Sequence, residues 1–88
     1  MKYEMVGNTI LILQNELDIY DAPILKDKIS SAAKEMGGSV IVDLHHVDCI
    51  STPIIQILLS SGKYINGFKI LNISDSVNRN LSLFGYSL

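Results

Sequence analysis

The chain has 88 residues, 48% of them hydrophobic and 18% charged, which is apolar material for one core and too little length for two, so a single domain over residues 1–88 is expected. Seven basic and nine acidic residues are spread along it for a net charge of −2, leaving no cationic patch for nucleic acid or an anionic membrane. Cys49, the single cysteine, makes no internal disulfide. No apolar run reaches the length of a membrane span, and the N-terminal residues lack the apolar stretch of a secretion signal, so a cytoplasmic protein without direct membrane insertion is expected.

Lys2 to Val6 and Thr9 to Leu13 flank Gly7-Asn8, a pair suited to the positive-φ positions of a tight turn, and predict an opening β-hairpin. The second strand is rich in Ile and Leu without clean alternation, as for a strand covered on both faces. Asp21 precedes Ala22-Pro23 and predicts a helix start, Asp21 as the cap and Pro23 in the first turn, where N–H groups lack internal partners anyway. From Leu25, apolar residues recur at Ile29, Ala32 and Met36, one buried helical stripe, until Gly37-Gly38 supplies the left-handed stop.

Ser39-Val40-Ile41-Val42-Asp43-Leu44 is a β-branched run that predicts a buried central strand. Ser51-Thr52-Pro53 then places two hydroxyls and a proline at the start of a second helix. Its apolar positions are Ile54, Ile55, Leu58 and Leu59, and it runs to about Ser61, with Gly62 as its stop. Asn66-Gly67 turns the chain into a strand over Phe68 to Ile73. Ser74 caps a third helix with Val77, Leu81 and Phe84 on one face, and Gly85 ends it. The order β-β-α-β-α-β-α predicts an α/β fold with a mixed, mostly parallel sheet: crossover helices impose parallel pairing and the opening hairpin adds an antiparallel edge.

Candidate chemistry is sparse. His45, His46, Asp48 and Cys49 are metal-binding residue types, but their spacing matches no zinc pattern, so no metal is expected. Cys49 is expected to pack as a small hydrophobe rather than to react. Asp43 ends the central strand, where α/β sheets present functional side chains, and equally suits accepting backbone N–H groups in its own loop. Glu16 and Asp18 are the one close acidic pair outside the turns. No phosphate-cradling glycine motif and no nucleophile elbow is present, so neither a cofactor nor an enzyme activity is indicated. Ser51 and Thr52, at a helix N-terminus whose free N–H groups favour an added phosphate, are the candidate positions for phosphorylation or for docking, and both are expected to be exposed.

Three segments in this order resemble the STAS family, the domain shared by anti-sigma factor antagonists and the cytoplasmic tails of sulfate transporters. They are Glu16-Leu17-Asp18-Ile19-Tyr20-Asp21-Ala22-Pro23, then Val40-Ile41-Val42-Asp43-Leu44 with Val47-Asp48-Cys49-Ile50, and finally Leu71-Asn72-Ile73-Ser74 with Leu81-Ser82-Leu83-Phe84-Gly85. The resemblance implies a non-enzymatic bacterial regulator that binds a serine-kinase-type anti-sigma factor, or another signalling protein, by partner switching. Such switching is controlled by phosphorylation in the loop before the second helix, where the family carries Asp-Ser-Ser-Gly or Asp-Thr-Ala-Gly. Here the matching residues are Ser51, Thr52, Pro53 and Ile54: Pro53 stands at the usual acceptor position, and Thr52 matches the preceding hydroxyl. As alternatives, the resemblance implies two readings without a phosphoswitch, a subunit docked on the ATPase of a lipid-transport complex and a chemotaxis-associated protein. In each, the expected contacts are Asp48, Ser51, Thr52, Pro53, Ile55 and Gln56 on a protein partner, and weak homodimerisation is left open.

Overall fold

The computed structural model describes residues 1–85. Its main sheet has four strands in the order β1-β2-β4-β6, formed by Tyr3–Val6, Thr9–Ile12, Ser39–Asp43 and Gly67–Leu71. β1 pairs antiparallel with β2, and β2, β4 and β6 are mutually parallel, which is the mixed sheet the hairpin and crossovers predict. The hairpin turn takes a positive φ at Gly7 alone (60°), the two-residue turn with glycine first, and leaves Asn8 free to donate to the Ser39 hydroxyl at 2.7 Å.

Three helices accompany the sheet: α1 (Ala22–Glu35), α2 (Thr52–Tyr64) and α3 (Asp75–Leu83). Ile10, Ile12, Val40 and Val42 alternate onto one face of the sheet and meet Leu25 and Ile29 of α1, Ile54, Ile55 and Leu58 of α2, and Val77 and Leu81 of α3 in a single cluster. Burying each of these large side chains contributes about 1.5–3 kcal/mol. β2 was expected to be covered on both faces. Instead Ile10 and Ile12 are buried while Thr9 and Leu11, which alternate with them, are only half-buried, because the packed cluster lies on one side of the sheet.

Several local expectations are revised. The helix start is preceded by a 3-10 turn, Ile19–Asp21, and the capping residue is Asp18. Its carboxylate accepts from the backbone of Tyr20 (2.9 Å) and Asp21 (3.2 Å), and Asp21 answers by accepting from Asp18 N at 3.0 Å. Asp21 therefore stands before α1 without capping it, and its second partner is Gln14 Nε2 at 2.9 Å. α1 closes as predicted: Gly37 and Gly38 take φ of 65° and 92°, and Gly38 N returns to the Ala33 carbonyl at 2.8 Å. Met36, expected in the buried stripe, falls at that close and is exposed. Lys28 of α1 lies over the Tyr3 ring, 5.4 Å from its centroid, and the neighbouring Tyr3 side chain raises its pKa.

α2 does not stop at Gly62 but continues to Tyr64. A single helical glycine costs only about 1 kcal/mol against alanine, so it does not end a helix whose next turn has tertiary contacts. β6 ends at Leu71 rather than Ile73, because Asn72 turns left-handed (φ 56°) and donates to Asp43 Oδ1 at 3.0 Å. Ser74 caps α3 through Val77 N (3.2 Å), as its position predicted. Phe84 lies just past the helix and is exposed rather than completing the stripe. Two strands escaped prediction: β3 (Glu16–Leu17) and β5 (Cys49–Ile50), which form a separate parallel pair. No described helix is long and apolar enough to cross a membrane.

Candidate functional site

The approach to α2 is fixed by the short β3–β5 ladder. Asp48 N donates to the Asn15 carbonyl at 2.8 Å and Ser51 N to the Leu17 carbonyl at 3.0 Å, so the chain is held on both sides of Cys49–Ile50. In this register Leu17 and Ile50 point into the core, which turns Glu16 and Cys49 outward. Cys49, expected to pack inside, is exposed for that reason.

Ser51 occupies the N-cap of α2 with extended backbone (φ −82°, ψ 163°), and its carbonyl accepts from Ile55 N at 3.1 Å. Its side chain caps nothing. Instead the Ser51 hydroxyl is buried without a hydrogen-bond partner among the described residues, an arrangement that costs about 1–3 kcal/mol. The expectation that both hydroxyls are exposed therefore holds for Thr52 alone. Thr52 is the first helical residue, so Pro53 takes the second position, where it forfeits no intrahelical hydrogen bond.

Thr52 and Gln56 lie one helical turn apart on the same face and both are exposed, as is Asp48 before them. Pro53 is half-buried beside them. Ile55 does not join this surface. It is 3% exposed and belongs to the core with Ile54 and Leu58, because it faces the sheet while Gln56, one residue on, faces out. Its expected role as a direct contact is thus withdrawn.

Asp43 accepts from His45 N (2.9 Å) and from Asn72, a loop-organising role. His45 and His46 meet edge to face with centroids 4.9 Å apart. Among the described residues no three metal-ligating side chains gather.

A groove of about 910 Å³ runs between α1 and α2, and Pro53 and Gln56 form part of its wall. Ile19, Pro23, Ile57 and Tyr64 give it an apolar lining, and Lys26 is its one charged residue among the described residues. Ile19 is 58% exposed at one end and Tyr64 77% exposed at the other. A signal was present: Ile57 and Tyr64 are seven residues apart on α2, a second apolar line beside the buried stripe.

The comparisons bear on the family and the fold. A family model described as the STAS domain matches residues 1–87. No curated protein matches the chain. Among solved structures, an anti-sigma factor antagonist from Mycobacterium paratuberculosis is 19% identical with a TM-score of 0.72, covering 96% of this chain and 75% of its own. The Bacillus cell fate determinant SpoIIAA in its phosphorylated form is 22% identical with a TM-score of 0.69, covering 96% of this chain and 82% of its own. At these identities the likeness is one of fold.

Proposed function

The chain belongs to the STAS domain family, and from that premise we propose that it is a non-enzymatic regulatory protein of the anti-sigma factor antagonist type, which binds a protein partner through Asp48, Thr52, Pro53 and Gln56. The partner in this reading is an ATPase-type protein, a serine-kinase-like anti-sigma factor or a related signalling component. The observation that carries the reading is the anchored turn: a segment tied by backbone hydrogen bonds to Asn15 and Leu17 presents an exposed Thr52 at the start of α2. A preorganised surface loses little entropy on docking, which favours binding without refolding.

Control by phosphorylation, if the partner applies it, falls on Thr52 in this reading. Pro53 has no hydroxyl, and the Ser51 hydroxyl is buried. A phosphate on Thr52 would bring a charge of roughly −1.5 to −2 into a packed interface and drive release through desolvation and repulsion. The test is capture of partners from the native host by the tagged protein. The wild type is expected to retain a specific partner that Thr52→Glu loses by at least tenfold, with Thr52→Ser retaining it. Equal capture by wild type and Thr52→Glu would remove Thr52 from the interface.

A further inference from the structure

The face of the main sheet turned away from the helices is open, and its residues follow from the register. Val6, Thr9, Ile41 and Lys69 align across the four strands in one row, and Glu4, Leu11, Asp43 and Leu71 in the next. Val6 is 57% exposed and Leu71 42% exposed, while Leu11 and Ile41 are half-buried and stand outside the packed core. Three of the four strands of this mixed sheet are parallel, and wholly parallel sheets occur almost only with both faces covered. Among the described residues no helix covers this one.

We infer that this open face pairs with the same face of a second copy of the chain, forming a weak, reversible two-fold dimer. The pattern of charge supports self-pairing. The apolar residues Leu11 and Ile41 lie on the two central strands, where the one carboxylate, Asp43, is engaged by His45 N and Asn72 of its own loop, while Glu4 sits on one edge strand and Lys69 on the other. Sheets stacked face to face keep their strands within about 30° of one another. A two-fold axis running near the strand direction then lays β1 of each copy over β6 of the other. Glu4 comes within reach of the second copy's Lys69, and the reverse pair forms by symmetry.

The area places the interface among the weak, transient ones. Four strands about 4.8 Å apart and four to five residues long make a patch of roughly 300 Å², well below the roughly 800 Å² per partner of a standard stable interface. Dimerisation should therefore show only at high concentration. It leaves the turn before α2 and the α1–α2 groove free, since both lie on the helical side of the sheet, so the inference stands apart from the proposed partner site.

Sedimentation equilibrium of the whole chain from about 10 µM to about 1 mM tests it, a range that covers association in the weak, micromolar-to-millimolar regime. A monomer–dimer equilibrium is expected, with Ile41→Lys raising the dissociation constant at least tenfold. Glu4→Lys and Lys69→Glu should each weaken the dimer several-fold, and the chain carrying both substitutions should recover most of the loss. Glu4 and Lys69 are exposed, so these variants keep the fold, which unchanged melting verifies. A chain that stays monomeric at about 1 mM, or a dimer indifferent to all of these substitutions, would overturn the inference.

Discussion

Replacing Ile55 with glutamate should leave most of the protein unfolded at 25 °C, whereas the same replacement at the adjacent Gln56 should change stability by less than about 0.5 kcal/mol. Ile55 is 3% exposed within the cluster formed by α2 and the sheet. Glutamate there forfeits the roughly 2–3 kcal/mol gained by burying isoleucine. It must also take a carboxyl group out of water with no partner, which adds several kcal/mol. An 88-residue domain has about 4–13 kcal/mol in total, so the sum consumes most or all of it. Far-UV circular dichroism and urea titration read the result directly. Ile55→Val, which removes a single methylene, should cost only about 0.5–1.5 kcal/mol and keep the fold. A folded Ile55→Glu protein would mean that α2 packs on the sheet through a different face.

Two glycines should respond to alanine with opposite signs. At Gly67, the start of β6, an added Cβ would run into the carbonyl oxygen of Gly38 and lie 3.0 Å from both the Gly38 carbonyl carbon and Ser39 Cα. All three obstacles are backbone, so relief requires β4 and β6 to part at the Ser39–Gly67 pairing. That overpacking should cost about 1–3 kcal/mol. Gly62 lies inside α2, and a Cβ there would meet only Phe68 Cδ2 at 3.8 Å, an ordinary contact. Gly62→Ala should therefore stabilise the protein by about 0.5–1 kcal/mol, through helix propensity and a less mobile unfolded chain. Urea midpoints of the two variants against wild type check both signs, and a neutral Gly67→Ala would show that the strand start has slack.

These contrasts mark where the sequence was readable and where it was not. The long elements announced themselves: Val40-Ile41-Val42 between turn residues gave a central strand, Gly37-Gly38 gave the end of α1, and Ser74 gave the cap of α3. Their signals are local, set by side-chain branching, capping and left-handed backbone. The β3–β5 ladder was hidden because two-residue strands have no period, and their pairing joins segments that lie far apart in sequence. Asp18 was passed over in favour of Asp21 because either aspartate fits a helix start, and only the 3-10 turn between them decides which one caps.

The candidate site was legible in place but not in detail. Its position followed from Ser51-Thr52-Pro53 ahead of an apolar stripe, yet the assignment of side chains depended on the rotation of α2 against the sheet. That rotation buries Ile55, exposes Gln56 and turns the Ser51 hydroxyl inward. A helical stripe in the sequence is wide enough to hold residues at its margin, and tertiary packing chooses among them. The groove beside the turn depends on two helices meeting side by side, which no single segment encodes.

The central claim is that a protein partner docks on the surface around Thr52 and Gln56, and a photo-crosslinking amino acid placed at Gln56 tests it most directly. Lys34 serves as the comparison, because it lies near the opposite ends of α1 and α2, where Ala33 and Gly37 approach Tyr64 and Ile65. In the native host, irradiation should join the Gln56 variant to one partner, which mass spectrometry identifies, and the added Thr52→Glu substitution should abolish that product while the Lys34 variant gives none. A specific product from Lys34 with none from Gln56 would contradict the account and move the interface to the other end of the helices.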